Sequence, residues 1–229
     1  MNKTCSSITK NSGSDGKKFK FLLWQFTVKS SYFIKRAFDF VFSILLLLLL
    51  LPIFILTAIA ILIGSRGQIF FRQARVGKNG RHFILYKFRS MIVDAESLKA
   101  GIISDNSLQD SVTFKMKDDP RITRVGRIIR RFSIDELPQL INVVKGEMSL
   151  VGPRPPLSEE VEKYSPDDRK RLLVKPGMTC LWQISGRSEL PFKQQVELDK
   201  QYINSQSILL DIKILLKTVP AVLTGRGAY

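Results

Sequence analysis

The chain has little cysteine and little acid. Its two cysteines, Cys5 in a polar tail and Cys180 in a mixed segment, exclude a disulfide framework and a close-spaced thiolate metal site, which fits a reducing compartment. Twenty acidic residues face 36 Lys and Arg in 229 residues, a formal charge of +16. That excess suits nucleic acid, an anionic membrane surface or a phosphorylated substrate alike. No recognition-helix, zinc or RNP-type pattern supports a nucleic-acid binder, and no internal repeat is present. The length accommodates one compact unit with appendages rather than two full-sized domains.

What the chain has in abundance is one apolar run. From Ala37 to Ile63 Asp39 is the only charge, and the run exceeds the roughly 20 residues a membrane helix needs. It starts too late and lasts too long for a signal peptide, and no small-x-small site follows at Gly64-Ser65-Arg66. Met1 to about Lys20, polar and basic, reads as a flexible tail. Lys29, Lys35 and Arg36 precede the run; Arg66, Arg72, Arg75, Lys78 and Arg81 follow it, with no acid between Arg66 and Arg89. A straight span puts one basic flank on the wrong face. A re-entrant hairpin turning at Pro52, which removes a helical donor, puts both on one; a proline-kinked span is the other reading.

Beyond the run, Gln68 to Phe71 and Phe83 to Phe88 predict strands separated by Gly77-Lys78-Asn79-Gly80. Ile92 to Gly101 predicts a helix and Ser104 to Lys117 a polar connecting loop. Leu137, Leu140, Ile141 and Val144 follow helical spacing, with Gly146 where a C-terminal cap belongs. Ser207 to Leu223 predicts a second amphipathic helix, with Ile208, Leu209, Ile212, Leu215, Leu216 and Val219 on one side. That face suits the core or a membrane interface. The fold class expected is α+β, mainly helical.

Chemistry concentrates in Arg127-Ile-Ile-Arg130-Arg131-Phe-Ser133-Ile-Asp135-Glu136-Leu137-Pro138. Proline belongs to a first helical turn, so a helix starting near Asp135 or Glu136 is expected; a capping box from Ser133 to Glu136 competes. The two acids then either cap the helix and complement its dipole or do chemistry beside Arg130 and Arg131, where a helix start attracts phosphate. Aspartate is a known nucleophile in phosphoryl transfer. Arg154 and Arg187 lie on loops shaped by Gly and Pro, as surface arginines or as phosphate clamps. Lys87 and Arg89 alternate with apolar residues, as on a strand with one polar face.

These residues resemble the monotopic polyprenyl-phosphate hexose-1-phosphate transferases, the bacterial sugar transferases. The similarity runs from Lys35-Arg-Ala-Phe-Asp39 to the Leu-Asp-Ile-Lys segment ending at Lys213. Between them lie Phe71-Arg-Gln-Ala-Arg-Val-Gly77, Lys87-Phe-Arg-Ser-Met91, Asp119-Pro-Arg-Ile-Thr123, Ser133-Ile-Asp-Glu-Leu-Pro-Gln139, the Asn142 to Pro155 stretch and Lys175-Pro-Gly-Met-Thr179. Each is weak alone; the ordered set behind one hydrophobic segment is specific.

The resemblance implies a catalytic dyad at Asp135 and Glu136, with Asp135 attacking the phosphate next to the sugar of a UDP-sugar. A polyprenyl phosphate then takes the sugar-phosphate from the enzyme. It implies Mg2+ beside Asp135, with Glu136 either assisting the metal or positioning a reactant, and phosphate contacts from Arg130, Arg154 and Arg187, with Lys87 added. It further implies a re-entrant helix broken at Pro52, where the family often has Ser-Pro and this chain has Leu51-Pro52, together with interfacial amphipathic helices on anionic lipid. The expected organisation is a basic tail over 1–30, a re-entrant membrane helix over 31–65 and a catalytic domain over 66–229 on the cytoplasmic face of the bacterial inner membrane. Larger relatives carry additional membrane helices, and this chain resembles the minimal catalytic form. The rivals are a non-catalytic membrane-tethered scaffold and a basic nucleic-acid binder. Which sugar is moved has no residue signature.

Overall fold

The computed structural model describes residues 12–93, 95, 97–98, 109–110, 113–114, 119–187 and 190–224. The chain divides into two units, Met1–Phe38 and Asp39–Tyr229. Helix α1, Ser12–Leu49, starts in the first unit and ends in the second. It begins inside the segment expected to be a tail; residues 1–11 lie outside the described ones.

The apolar run breaks where proline predicts. Helix α1 stops at Leu49 and α2, Leu51–Gly64, starts with Pro52 in its first turn, where a missing donor costs nothing. Among the described residues no single helix is long and apolar enough to cross a membrane; the pair Tyr32–Leu49 and Leu51–Gly64 qualifies together, bent by 59°. Both ends of the run are tied to the second unit. Asp39, buried, accepts a hydrogen bond from the Leu150 amide at 3.1 Å. Ile61 is buried with Phe88 and Ile129, with Phe54 and Val125 packed around them.

Strands β1, Phe70–Val76, and β2, His82–Phe88, form an antiparallel ribbon in register Phe70↔Phe88 to Val76↔His82. The turn between them holds Asn79 and Gly80 at φ 56° and 78°, the left-handed values that Asn and Gly tolerate. The segment expected as a loop over 104–117 contains a small antiparallel pair, β3 Gln109–Asp110 with β4 Thr113–Phe114. The helix expected over 92–101 falls largely outside the described residues; Ala95, Ser97 and Leu98 are helical.

Helix α3, Arg124–Arg131, is capped by the Thr123 hydroxyl, which accepts from the Gly126 amide at 2.9 Å. After it comes a 3-10 turn, Ile134–Glu136, and only then α4, Gln139–Lys145, closed by Gly146 at φ 83°. Strands β5, Ser149–Val151, and β6, Gly177–Thr179, pair in parallel. Helices α5, Ser158–Glu162, α6, Leu181–Ser185, α7, Phe192–Asn204, and α8, Ile208–Thr224, complete an α+β, mainly helical fold.

Two amphipathic helices present other faces than their patterns suggest. Helix α4 buries Gln139 and Asn142 beside Leu140 and Val143, leaving Ile141 and Val144 partly exposed. Asn142 is drawn in because its amide completes the edge of β2, donating to the Ile84 carbonyl at 2.7 Å and accepting from the Tyr86 amide at 3.1 Å. Helix α8 buries Asp211 and Ile214, while Leu209, Leu216, Val219 and Leu223 stand exposed. The carboxylate goes inward because Tyr202 donates to it at 2.7 Å. The apolar face therefore does not cap the core.

Candidate active site

The site is built around the 3-10 turn. Ser133, at φ 53°, sits in the left-handed region, reversing the chain between α3 and the turn. No capping box forms: the Ser133 side chain makes no cap bond, and α4 starts four residues beyond Asp135. The expected register is thus wrong. Leu137 and Pro138 already have helical dihedrals, but the bonds across them, Leu140 amide to Leu137 carbonyl and Ile141 amide to Pro138 carbonyl, close the tighter turns. The dyad precedes a helix instead of opening one, so the helix-cap reading of the acids fails as well.

The six residues assigned to the dyad and to phosphate contacts, Lys87, Arg130, Asp135, Glu136, Arg154 and Arg187, line one cavity of about 890 Å³, whereas Arg131, named beside Arg130, does not. Seven cationic side chains and three carboxylates border it, so its field favours an anion. Lys87 reaches from β2 to Glu136, Nζ to Oε1 at 2.7 Å, and so meets the dyad before any substrate. Burial acts to raise the Glu136 carboxyl, but Lys87, with Arg154 and Arg75 behind it, outweighs that and holds it below the ordinary range. Asp135, 7% exposed, has no such ion-pair partner among the described residues. Burial pushes it up to about 6, against the pull of Lys87 and with the push of Glu136.

The arginine loops are held from several sides. Arg154 follows β5, and the chain there is locked against β6 by the Gly152 amide to Thr179 carbonyl bond at 3.0 Å and the Gly177 amide to Pro153 carbonyl bond at 2.9 Å. A Cβ on Gly177 would fall 2.0 Å from the Gly152 nitrogen, so only glycine permits this approach. Arg154 Nη1 lies 3.4 Å from both carboxylate oxygens of buried Glu160, itself fixed by the Leu157 amide at 2.9 Å. Arg187, after Gly186, has φ 51°. Partial burial lowers its pKa, against the pull of Glu136.

Three contributors carry no role in the sequence reading. Arg75, buried, donates to the Pro155 carbonyl at 3.1 Å and to Gln73 Oε1 at 2.7 Å, bracing the Arg154 loop; burial, then Arg154, pulls it down to about 10. Glu160 aims Arg154. Asp39 fastens the apolar run, and the signal was visible: a lone charge in a membrane segment is costly unless partnered. Arg121, in the Asp119-Pro-Arg motif, pairs with buried Asp119 at 2.6 Å and donates to the Ala95 carbonyl at 3.1 Å, a structural clasp.

No group of three or more metal-ligating side chains is gathered among the described residues. The two dyad carboxylates are what the site offers a cation. They suit Mg2+, which commonly takes one or two carboxylates and completes its shell with substrate phosphate oxygens and water.

A cation-lined cavity thus closes on a carboxylate pair, in a chain that also carries a broken apolar helix pair. The family model described as bacterial sugar transferase matches residues 30–225, and the chain belongs to that family. It is similar to a galactosyl transferase of Streptococcus agalactiae serotype III, 55% identical over 163 residues that cover 71% of this chain and 36% of the relative. An undecaprenyl-phosphate galactose phosphotransferase of Salmonella typhimurium is 44% identical over 204 residues, 88% of this chain and 43% of the relative. The chain thus spans less than half the length of these two. It spans 88% of the exopolysaccharide production protein ExoY of Sinorhizobium fredii, 40% identical over 198 residues covering 85% of this chain.

Proposed function

We propose that this protein transfers a hexose 1-phosphate from a UDP-sugar to a polyprenyl phosphate, on the cytoplasmic face of the bacterial inner membrane, as the first step of a cell-surface glycan. The observation that carries this reading is the convergence of the dyad and four cationic side chains on one cavity. The family and the names of its members, undecaprenyl-phosphate sugar phosphotransferases among them, support the substrate classes.

Asp135 is the nucleophile in this mechanism. Lys87 engages Glu136 and leaves Asp135 to face the donor. Burial makes Asp135 more basic than an ordinary aspartate, its carboxyl pushed up to about 6. A carboxylate oxygen attacks the phosphorus next to the sugar; the bond from that phosphorus to the bridging oxygen breaks, and UMP leaves with the electron pair. An oxygen of the polyprenyl phosphate then attacks the same phosphorus, displacing Asp135 and forming the lipid diphosphate-sugar. Arg130, Arg154 and Arg187 cancel the repulsion between carboxylate and diphosphate and meet the charge that develops on the phosphoryl oxygens. Mg2+, held by Asp135 and Glu136 with the diphosphate, would add charge neutralisation there.

The same reading makes the apolar segment re-entrant. Each limb, α2 and the Ala37–Leu49 part of α1, is about 20 Å long at 1.5 Å per residue, short of a hydrocarbon core of roughly 30 Å. Asp39 and Ile61, near the two ends, are fastened to one globular unit, so the segment leaves on the face where it entered. The exposed stripe of α8 then rests in the anionic lipid interface.

The deciding experiment mixes enzyme with labelled UDP-sugar alone and quenches rapidly. About one equivalent of UMP per enzyme and sugar-phosphate on a peptide containing Asp135, removed by polyprenyl phosphate, are expected. Sequential kinetics with no adduct would move Asp135 from nucleophile to metal ligand, and no UMP with any acceptor would leave a scaffold.

A further inference from the structure

Part of the cavity's lining suits something other than a nucleotide-sugar. Leu46 and Leu50, on the last turn before the membrane break, belong to it, and so do Leu215, Ala221 and Val222 of α8. Thr218 lies among them, but its hydroxyl is committed, donating to the Ile214 carbonyl at 2.8 Å and pairing with the Thr179 hydroxyl at 2.8 Å. None of these six side chains offers a ligand a free hydrogen bond. A UDP-sugar carries hydroxyl, imide and phosphate groups along its whole length, and those laid against these residues would lose contacts to water without replacement. The lining of the same cavity also includes the dyad and the arginines.

A ligand that satisfies both sets of residues has a phosphate head and a hydrocarbon body. The two helices that supply the apolar wall also show where such a ligand enters. Leu45, Leu48 and Leu49 of α1 and Leu209, Leu216, Val219 and Leu223 of α8 are exposed on their outer surfaces. Both helices thus carry apolar side chains on an exposed surface as well as in the cavity lining.

We propose that Leu46, Leu50, Leu215, Ala221 and Val222 bind the first isoprene units of the acceptor, holding its phosphate toward Asp135. The inference rests on the transferase reading above and adds to it where the acceptor's chain lies. It makes the apolar wall a specificity device: a phosphate without a hydrocarbon body gains nothing from it, so acceptor preference depends on chain while donor binding does not.

The test uses the full chain in lipid nanodiscs with a polyprenyl phosphate carrying a diazirine in its second isoprene unit. Light should attach it to peptides containing Leu46 and Leu50 or Leu215 to Val222, and unmodified polyprenyl phosphate should block this labelling. A diazirine phospholipid should mark only the outer faces and resist that competition. In parallel, Leu50→Trp and Ala221→Trp should raise KM for the long-chain acceptor about tenfold while KM for UDP-sugar and the UMP burst stay within about twofold. Labelling that acceptor does not block, or a KM for a soluble short-chain phosphate that rises as much as that for the long chain, overturns the proposal. Blocked labelling of these residues in a protein that releases no UMP would uphold the site and sink the transferase reading instead.

Discussion

Asp135 and Asp199 are both buried aspartates of the same unit, and burial pushes both up to about 6. Their surroundings then diverge. Asp199 is 1% exposed and bonded to Arg171, whose guanidinium also donates to the Tyr164 hydroxyl at 3.1 Å and lies over the Tyr164 and Phe192 rings at 5.6 and 5.7 Å. Asp135 faces a cavity, and the cation that pulls on it most strongly, Lys87, is bonded to Glu136. A raised pKa thus marks burial in both regions. What separates a carboxylate poised for chemistry from one that clamps a fold is whether its counter-charge has been diverted and whether a ligand can reach it.

The largest expected effect breaks the two apart by activity. Asp135→Asn should lower turnover by about a thousandfold or more, as loss of a nucleophile does, while Asp199→Asn keeps turnover per folded molecule within a few-fold. Equal losses in the two variants would end the distinction. Stability should divide them the other way: Asp199→Asn leaves the Arg171 charge buried and unpaired, at a cost of about 3–5 kcal/mol in denaturant unfolding.

Asp135→Asn should instead stabilise the fold, by about 1–3 kcal/mol at neutral pH. The folded carboxyl, at about 6, holds its proton more tightly than the unfolded one, so wild-type stability falls as pH rises from about 4 to 6. The gain from Asn should therefore be full above pH 6 and vanish below about 4, which thermal melts across that range would check.

The mildest test concerns an intermediate case. Glu160 is buried and bound to an arginine, as Asp199 is, yet lines the cavity, as Asp135 does. Glu160→Gln should loosen the aim of Arg154, raising KM for UDP-sugar about three- to tenfold with kcat within about twofold. A kcat loss as deep as that of Asp135→Asn would place it with the chemistry.

Much of this was legible along the chain. Pro52 marks the break because a missing donor is a local fact, and Gly146 marks a helix end because its left-handed φ is one too. The site residues stand beside turns or on a ribbon whose pattern is readable. What misled was periodicity taken as a guide to burial. Asn142 is buried because a neighbouring strand edge lacked partners, and Asp211 because Tyr202 needed an acceptor. Neither partner is close enough in sequence to alter a helical pattern. The helix start at the dyad went astray for a similar reason, since Pro138 permits either a first turn or the 3-10 geometry that Ser133 imposes.

By itself the sequence determined the apolar segment and its break, the mainly helical α+β class, and which acids and cations were available, because these follow from composition and from bonds within a few residues. Only the tertiary structure decided that the cations and the dyad share a cavity, that Lys87 goes to Glu136 and not to Asp135, and that the apolar face of α8 turns outward. Those outcomes depend on distances between residues such as 87 and 136, or 39 and 150, that no local pattern encodes. They are settled when the whole chain finds partners for its buried polar groups at once.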